Sequence, residues 1–427
     1  MGKLRALSDT ATEATDGRLY ISGYINAHYM DHDGVARTVG KNLNRPLWQI
    51  REASLFFDVT ATEFFTLSGE LELSYDFSDR AASGREDRFA GHLNYLYADL
   101  SVTDLLDADT ETYGSLRFRG GRFLVPFLSY NENKPSFRQT LMSQPFTAWQ
   151  LSPVNNIAID FERFGWSDFG VMVDWERAFG SIGAFDLKIA VINGLESDGP
   201  GLDANTVRLD PPGMMKPTMT PRDGLFANRR HGWGFDGEND NLATVFKASY
   251  SLAALPVDFG VSWYRGKWDA AGEHDLNMYG AHFNLLQRNW SLKGEYVKAD
   301  VEETPGLLIT TAPGPAALNT TTGDFNMRAW YVEASGAVLR YGVNDQRYVR
   351  LVTRLDDVDT NDKIAFTPFD RFRVTSGMEW EFLPQIRMRY EWQRSFLDDF
   401  GKAPGPFVAA GGEREIDMHM FSIIAYF

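Results

Sequence analysis

The chain has 427 residues, a formal net charge of −16 and 14% aromatic residues, with 58 acidic side chains against 42 basic ones. It contains no cysteine, which excludes disulfide frameworks, thiolate nucleophiles and covalently attached c-type haem. The acidic balance argues against a nucleic-acid partner, and no apolar run reaches the roughly 18 residues that a transmembrane helix needs.

The first residues of the chain carry no secretory signal. Residues 1–17 lack the apolar stretch of a signal peptide. Two interpretations stay open on composition alone: a cytosolic protein, or the mature form of an exported protein whose signal peptide has been removed. We expect residues 1–17 to be a flexible N-terminal segment and residues 18–427 to form a single domain.

A long alternating pattern covers residues 65–77, which read FTLSGELELSYDF. Apolar or aromatic residues, with one glycine, occupy the odd positions, and polar residues occupy the even positions. A period of two predicts a strand with one apolar and one polar face. Strands in soluble proteins usually stop after about five or six residues, so this one is long.

The same alternation returns near the end of the chain, in residues 371–382 and 385–396. Only Leu383 and Pro384 separate the two segments, which predicts a tight hairpin. Strands of about ten residues with charged polar faces are typical of transmembrane β-barrels. The sequence therefore predicts an all-β, antiparallel, up-and-down transmembrane barrel of about sixteen strands, at 18–29, 48–59, 65–77, 92–102, 114–123, 169–178, 185–193, 242–252, 257–267, 276–287, 290–299, 327–338, 346–355, 371–382, 385–396 and 415–427.

Long and short connections alternate along the predicted barrel. This alternation holds only if residues 157–164 belong to a loop or a strand extension, so they are not counted as a strand, and a barrel of eighteen strands stays open. The loop 124–168 is aromatic, rich in proline and low in net charge, so we expect it to fold inward and constrict the lumen, since long structureless loops are usually functional. Its candidate lining residues are Asn131, Glu132, Lys134, Arg138 and Gln139.

Aromatic residues lie near many predicted strand ends, where their rings suit a membrane interface. They include Tyr20, Trp175, Trp263, Trp268, Trp290, Trp330, Trp380 and Trp392.

Sixteen strands leave a water-filled lumen, and strand parity predicts which charges face it. The candidate basic lining residues are Arg117, Arg119, Arg350, Arg354, Arg371, Arg373, Arg387 and Arg389. The candidate acidic lining residues are Glu70, Glu72, Glu379 and Glu381. Opposed charged walls would create a transverse field that orients polar solutes.

A second interpretation of these charges stays open. Glu381 with Arg387, and Glu379 with Arg389, face each other across the predicted hairpin and would neutralise each other as ion pairs. Arg350 and Arg354 have no acidic neighbour on their own predicted strand face, and neither have Arg117 and Arg119. We expect those four to be the better candidates for contacting an anion, because guanidinium binds carboxylate or phosphate bidentately.

Two segments resemble the phosphate-selective porin O/P family of Gram-negative bacteria. They are QIREASLFFDVTA, residues 49–61, and GGRFLVPFLSY, residues 120–130. The final residues, IIAYF, are similar to the C-terminal recognition signal of outer-membrane proteins. The resemblance implies an outer-membrane, trimeric channel with a basic ladder for anions, to which Arg117, Arg119, Arg350, Arg354, Arg371 and Arg373 would belong. The predicted constriction loop departs from that family in having a single lysine, Lys134.

We therefore predict a porin of the outer membrane of a Gram-negative bacterium, which passes small polar solutes and ions, including anions, by passive diffusion. Its expected partners are outer-membrane lipid, lipopolysaccharide and two further copies of the chain in a homotrimer, with no cofactor and no metal. The alternatives are a barrel that sheathes a partner such as an electron-transfer cytochrome, a closed structural outer-membrane protein, and a soluble all-β binding protein. An enzyme is not expected, because no HExxH motif or catalytic triad spacing appears.

Overall fold

The computed structural model describes residues 17–32, 47–76, 88–133, 138–148, 166–197, 227–229, 241–268, 272–302, 324–342, 347–359, 362, 371–397 and 415–427. The predicted flexible segment lies outside the described residues except for Gly17, and so do residues 157–164. The single-domain assignment of 18–427 stays a prediction.

Sixteen strands form one closed antiparallel barrel, which confirms the predicted fold class. Each predicted strand coincides with an observed one to within about four residues. The barrel strands are β1 Leu19–His32, β2 Leu47–Thr62, β3 Phe65–Asp76, β4 Arg88–Ser101, β5 Ser115–Leu124, β6 Ser167–Ala178, β7 Gly183–Ile192, β10 Ala243–Leu252, β11 Val257–Lys267, β12 Asp275–Leu286, β13 Trp290–Val301, β14 Phe325–Tyr341, β15 Arg347–Asp359, β16 Arg371–Leu383, β17 Ile386–Leu397 and β18 Glu415–Tyr426.

Two further short strands, β8 Leu195–Ser197 and β9 Ala227–Arg229, form a separate two-stranded sheet. They lie in the connection between β7 and β10, which are neighbours in the barrel.

The first and last strands close the barrel by pairing with each other, from Tyr24 opposite Tyr426 to His32 opposite Met418. The backbone of Gly23 exchanges hydrogen bonds with Phe427, at 3.2 and 3.0 Å. A β-carbon on Gly23 would lie 2.9 Å from the Phe427 ring, so glycine leaves the space that this ring occupies at the seam.

The connections differ in length at the two ends of the barrel. At the short-turn end, two residues join β2 to β3 and two join β16 to β17, where Gln385 has a positive φ of 67°. The connection from β4 to β5 contains two single-turn helices, Val102–Leu105 and Thr110–Tyr113, whose N-caps are Ser101 and Asp109. No helix among the described residues is long and apolar enough to cross a membrane.

The strands separate apolar from polar side chains as their period requires. In β3, Leu71 and Leu73 point outward and are 49% and 56% exposed, whereas Glu70 and Glu72 point inward and are 5% and 1% exposed. The outward faces of other strands are also apolar, with exposed side chains such as Phe118, Val171 and Val261. The barrel therefore has an apolar outer surface of the kind that lipid covers.

Two predictions about local structure are wrong. The predicted strand 346–355 ends four residues too early, because β15 continues through Asp359 and thereby brings Asp356 to the barrel interior, where it is fully buried. Trp268 follows the end of β11, as predicted, but it does not face a membrane interface: it is 2% exposed, and its indole donates to the carbonyl of Glu302.

Candidate channel lining and constriction

A segment of the chain's own backbone occupies the barrel interior. Its described parts, residues 125–133 and 138–148 between β5 and β6, are called the lumen segment below. The side-chain amide of Asn131 donates to the carbonyls of Val125 and Trp166, and its oxygen accepts from the backbone of Trp166 at 2.7 Å. Asn131 thereby ties the start of the segment to the residue that precedes β6.

A carboxylate on the inward face of β13 holds the first part of the lumen segment. One oxygen of Glu295 accepts the backbone N–H groups of Ser129 and Tyr130, at 2.8 and 2.6 Å. The other oxygen accepts the hydroxyl of Thr147 at 2.8 Å. Since Glu295 lies in the middle of a barrel strand and points inward, these contacts place both ends of the segment inside the barrel.

Two more wall carboxylates hold the second part of the segment. Glu391, on β17, accepts the backbone N–H groups of Met142 and Ser143, at 2.5 and 3.2 Å. Glu333, on β14, accepts the hydroxyl of Thr140 at 2.5 Å. Both glutamates are buried, so these contacts hold the second part of the segment against β14 and β17.

Arginines on the same wall bind the carbonyl groups of the lumen segment. Arg354 donates to the carbonyl of Ser143 at 3.0 Å and to its hydroxyl at 2.7 Å. Arg373 donates to the carbonyl of Gln144 at 2.6 Å. Arg389 donates to the carbonyls of Gln139 and Leu141, both at 3.2 Å. The lumen segment is a loop, so strand pairing provides no partners for its backbone N–H and C=O groups. Side chains of the wall provide these partners instead.

Glu132 connects the segment to two lysines on neighbouring strands. Its carboxylate contacts Lys188 of β7 at 2.6 Å and also pairs with Lys247 of β10. Burial alone raises the pKa of Glu132, but attraction to Lys247 and Lys188 outweighs burial and holds the pKa at about 2, below its ordinary 4.5. Glu132 is therefore ionised at neutral pH.

The inward face near the long-loop end of the barrel is apolar, which the predicted alternation did not anticipate. Phe127 and Phe146 of the lumen segment belong to one buried cluster with inward side chains of β6, β7 and β10–β15. Those wall residues include Ile192, Val245, Val297, Met327 and Val358. At the long-loop end the strands are apolar on both faces, because the outer face belongs to the apolar exterior of the barrel and the inner face packs against the lumen segment.

All eight basic residues predicted to line the lumen face the interior, and each of them has a contact. Arg117 pairs with Asp174 at 2.9 Å, and Arg119 pairs with Asp99 at 2.7 Å. Arg350 and Arg387 lie 3.6 and 3.2 Å from Glu379. The guanidinium of Arg371 lies 4.7 Å from the centre of the Phe146 ring. Arg354, Arg373 and Arg389 hold the lumen segment as described above.

The expectation that Arg354 lacks an acidic neighbour on its own strand is wrong. Its Nε donates to Asp356 at 2.9 Å, and Arg373 reaches the same carboxylate at 3.3 Å. The cause is the extension of β15, which brings Asp356 onto the inward face. Arg117 pairs with a carboxylate of the adjacent strand β6, and Arg119 pairs with one of the adjacent strand β4. The register between neighbouring strands determines both pairs.

The four predicted acidic residues form two groups. Glu379 and Glu381 lie on β16, opposite Arg389 and Arg387 as expected. Of these cross-strand pairs, Arg387 and Glu381 approach to 3.6 Å, whereas Arg389 reaches the lumen segment. Glu70 and Glu72 lie on the other wall, on β3, beside Asn94 of β4.

The remaining predicted constriction residues are partly placed. Asn131 and Glu132 hold the segment, Gln139 is buried, and Arg138 is exposed. Lys134 lies outside the described residues. Strand parity had no means of finding Asp99 or Asp356 as arginine partners, since the first depends on register and the second on the length of β15.

The described part of the chain contains no group of three or more histidine and carboxylate side chains that could hold a metal ion. The arrangement is instead that of a barrel whose interior is narrowed by a segment bound to one wall. Sixteen-stranded barrels of this size have room for an aqueous passage. This combination defines the porin class of fold.

Solved structures of outer-membrane channels share this fold. The outer-membrane channel DcaP of Acinetobacter baumannii has a TM-score of 0.52 and 9% identity, covering 96% of this chain and 97% of that one. OmpF of Salmonella typhi, solved with daunomycin, has a TM-score of 0.51 and 8% identity, with coverage of 96% and 97%. The anion-selective porin from Comamonas acidovorans has a TM-score of 0.50 and 11% identity, with coverage of 96% and 99%. No protein-family model and no curated protein matches the sequence.

Proposed function

We propose that the protein is an outer-membrane porin that passes small polar solutes and ions by passive diffusion. The observation that carries this proposal is a closed sixteen-stranded barrel with an apolar exterior, whose interior holds charged side chains and a constricting segment bound to one wall. A barrel satisfies all backbone groups of its strands internally, which is the condition for crossing lipid. The similar fold of known channels supports the same assignment.

The proposed passage runs beside the lumen segment rather than through the whole lumen. Side chains that retain solvent exposure on the inward face include Arg117, Arg119, Asp99 and Lys188 near the short-turn end. Because these basic groups pair with carboxylates, we propose weak ion selectivity at this end of the channel. A ladder of unpaired arginines, as the resemblance to phosphate-selective porins implies, finds no support in these pairings.

The sheath alternative is less well supported. A partner inside the barrel would need the volume that residues 125–133 and 138–148 fill, and these parts of the chain are bound by Glu295, Glu333, Glu391 and three arginines. A soluble binding protein is also disfavoured, since it would have to hide the exposed leucines, valines and aromatic residues of the outer face.

Deletion of residues 130–142 tests the role of the lumen segment. Removing them should raise the single-channel conductance in a planar lipid bilayer, since the barrel wall would remain and the constriction would be lost. Heat-dependent electrophoretic mobility would verify that the deleted protein still folds as a barrel. An unchanged conductance in a folded variant would contradict the proposed constriction.

The assembly and surroundings of the barrel are proposals of the same kind. We propose a homotrimer in the outer membrane, in contact with its lipid and with lipopolysaccharide on the long-loop side. Light scattering on detergent-solubilised protein should give three chains per particle, and a monomer mass would reject the trimer.

A further inference from the structure

Six inward polar side chains lie side by side on the inner face of β1–β4, a part of the wall that carries none of the anchors of the lumen segment described above. We call them the acceptor patch: Asn26 on β1, Glu52 and Ser54 on β2, Glu70 and Glu72 on β3, and Asn94 on β4. The strand register places Asn26 opposite Glu52 and Ser54 opposite Glu72. Asn94 occupies the position where the pairing of β3 with β4 is irregular, between Leu93 and Tyr95.

The two asparagines turn their amide nitrogens toward carboxylates. Asn26 donates to Glu52 at 3.2 Å, and Asn94 donates to Glu72 at 2.5 Å. These bonds fix which end of each amide is nitrogen, since a carboxylate can only accept. The amide oxygens therefore point away from the carboxylates that the nitrogens contact.

Both amide oxygens of the acceptor patch receive no hydrogen bond from the described residues. They are Oδ1 of Asn26 and Oδ1 of Asn94. The two residues are 0% and 3% exposed, so the side chains are almost completely removed from bulk solvent. Buried polar atoms in folded proteins nearly always have a hydrogen-bonding partner, which makes two such acceptors on one patch an exception that needs a cause.

We propose that the acceptor patch is a binding subsite for the ammonium or guanidinium group of a permeating organic cation. The inference rests on the proposed channel function. Glu52, Glu70 and Glu72 supply negative charge, and Asn26, Ser54 and Asn94 supply neutral oxygens that accept N–H donors. A guanidinium carries five N–H donors and an ammonium three. Neither group contains an acceptor, so a surface that offers only acceptors matches both.

The spacing of the patch favours an organic cation over a metal ion. Adjacent strands lie about 4.8 Å apart, and alternate residues of a strand lie roughly 7 Å apart. The oxygens are thus spread over a surface, whereas a metal ion needs its ligands within about 2.0–2.6 Å of one point. Among the described residues, no cluster of three or more histidine and carboxylate side chains is arranged so that it could hold a metal ion.

Current block by arginine amide tests the subsite in reconstituted single channels. Arginine amide carries both cationic groups and no carboxylate, and propionamide is the uncharged comparison. We expect saturable block by arginine amide and none by propionamide at equal concentration. Glu72→Gln and the double variant Asn26→Leu, Asn94→Leu should each weaken the apparent affinity at least tenfold.

The matched control is Glu176→Gln, which removes one inward carboxylate from the short-turn end of β6, away from the patch. Its apparent affinity should stay within about twofold of that of the unsubstituted protein. An equal loss in this control would mean that overall lumen charge, and not the patch, attracts the cation, and would overturn the proposal.

Titration calorimetry on the folded, detergent-solubilised protein separates this inference from the channel function, because it needs no conduction. Binding of arginine amide that the patch variants lose would support the subsite even if no current were seen. Open channels without block and without heat of binding would overturn the subsite while leaving the porin assignment intact. Tighter binding of Ca²⁺ at the patch, displacing arginine amide, would also overturn the organic-cation assignment.

Discussion

Single carboxyl side chains on the barrel wall each accept hydrogen bonds from several backbone N–H groups of the lumen segment. Glu295 accepts two of them and a hydroxyl, and Glu391 accepts two more. A carboxyl oxygen has two lone pairs and can accept two donors at once, which suits a loop with consecutive N–H groups outside strand pairing. Parity could predict that these glutamates face inward, but not what they bind, because their partners lie more than 100 residues away in the sequence.

Substitution Glu295→Gln should loosen the lumen segment. The neutral side-chain oxygen would bind the N–H groups of Ser129 and Tyr130 more weakly than a carboxylate does, and the hydroxyl of Thr147 would have to turn to accept from the side-chain NH₂. We expect noisier open-channel current and a loss of about 1–3 kcal/mol in the free energy of unfolding. Single-channel recording and denaturant titration measure the two effects. Glu176→Gln should show neither, and equal noise in both variants would contradict the anchoring role.

The lowered pKa of Glu132 predicts how its contribution depends on pH. A carboxyl whose pKa falls on folding stabilises the protein above its unfolded-state pKa and loses that effect as pH falls through the folded value. The stability difference between the unsubstituted protein and Glu132→Gln should therefore be constant above pH 4.5 and decline as the pH falls from 4.5 to about 2. Denaturant titrations at several pH values measure it, and a difference that vanishes near pH 6 would contradict the pairing with Lys188 and Lys247.

At the scale of elements, the strands follow from a local pattern and the lumen segment does not. Residues 65–77 predict β3 because each side chain in a strand alternates between lipid and lumen. The inward apolar ends of β7, β13 and β14 break that alternation, since Ile192, Val297 and Met327 pack on the segment. Their burial depends on a chain segment placed by distant contacts, so no window of sequence could reveal it.

Gly280 gives the lumen segment its close approach to β12. A β-carbon at this inward position would collide with the side chain of Leu128. Gly280→Phe should therefore displace the segment and change the single-channel conductance by a measurable step. Gly120→Phe is the matched control, because Gly120 points outward from β5 with nothing within 4 Å of an added β-carbon. A conductance equal to that of the control would contradict the packing of Leu128 against β12.

At the scale of the whole molecule, the net charge of −16 is a poor guide to the passage. The inward arginines are paired with carboxylates or bound to the lumen segment, as Arg119 with Asp99 and Arg354 with Asp356 illustrate. The absence of a long apolar run is likewise explained by the barrel, whose apolar residues occupy alternate positions rather than consecutive ones.

Planar-bilayer recording of the purified, refolded protein tests the central claim most directly. The account predicts discrete, long-lived conductance steps at low voltage, with a reversal potential in a salt gradient that indicates weak selectivity. A folded barrel that inserts into the bilayer and never conducts would contradict the proposed porin function.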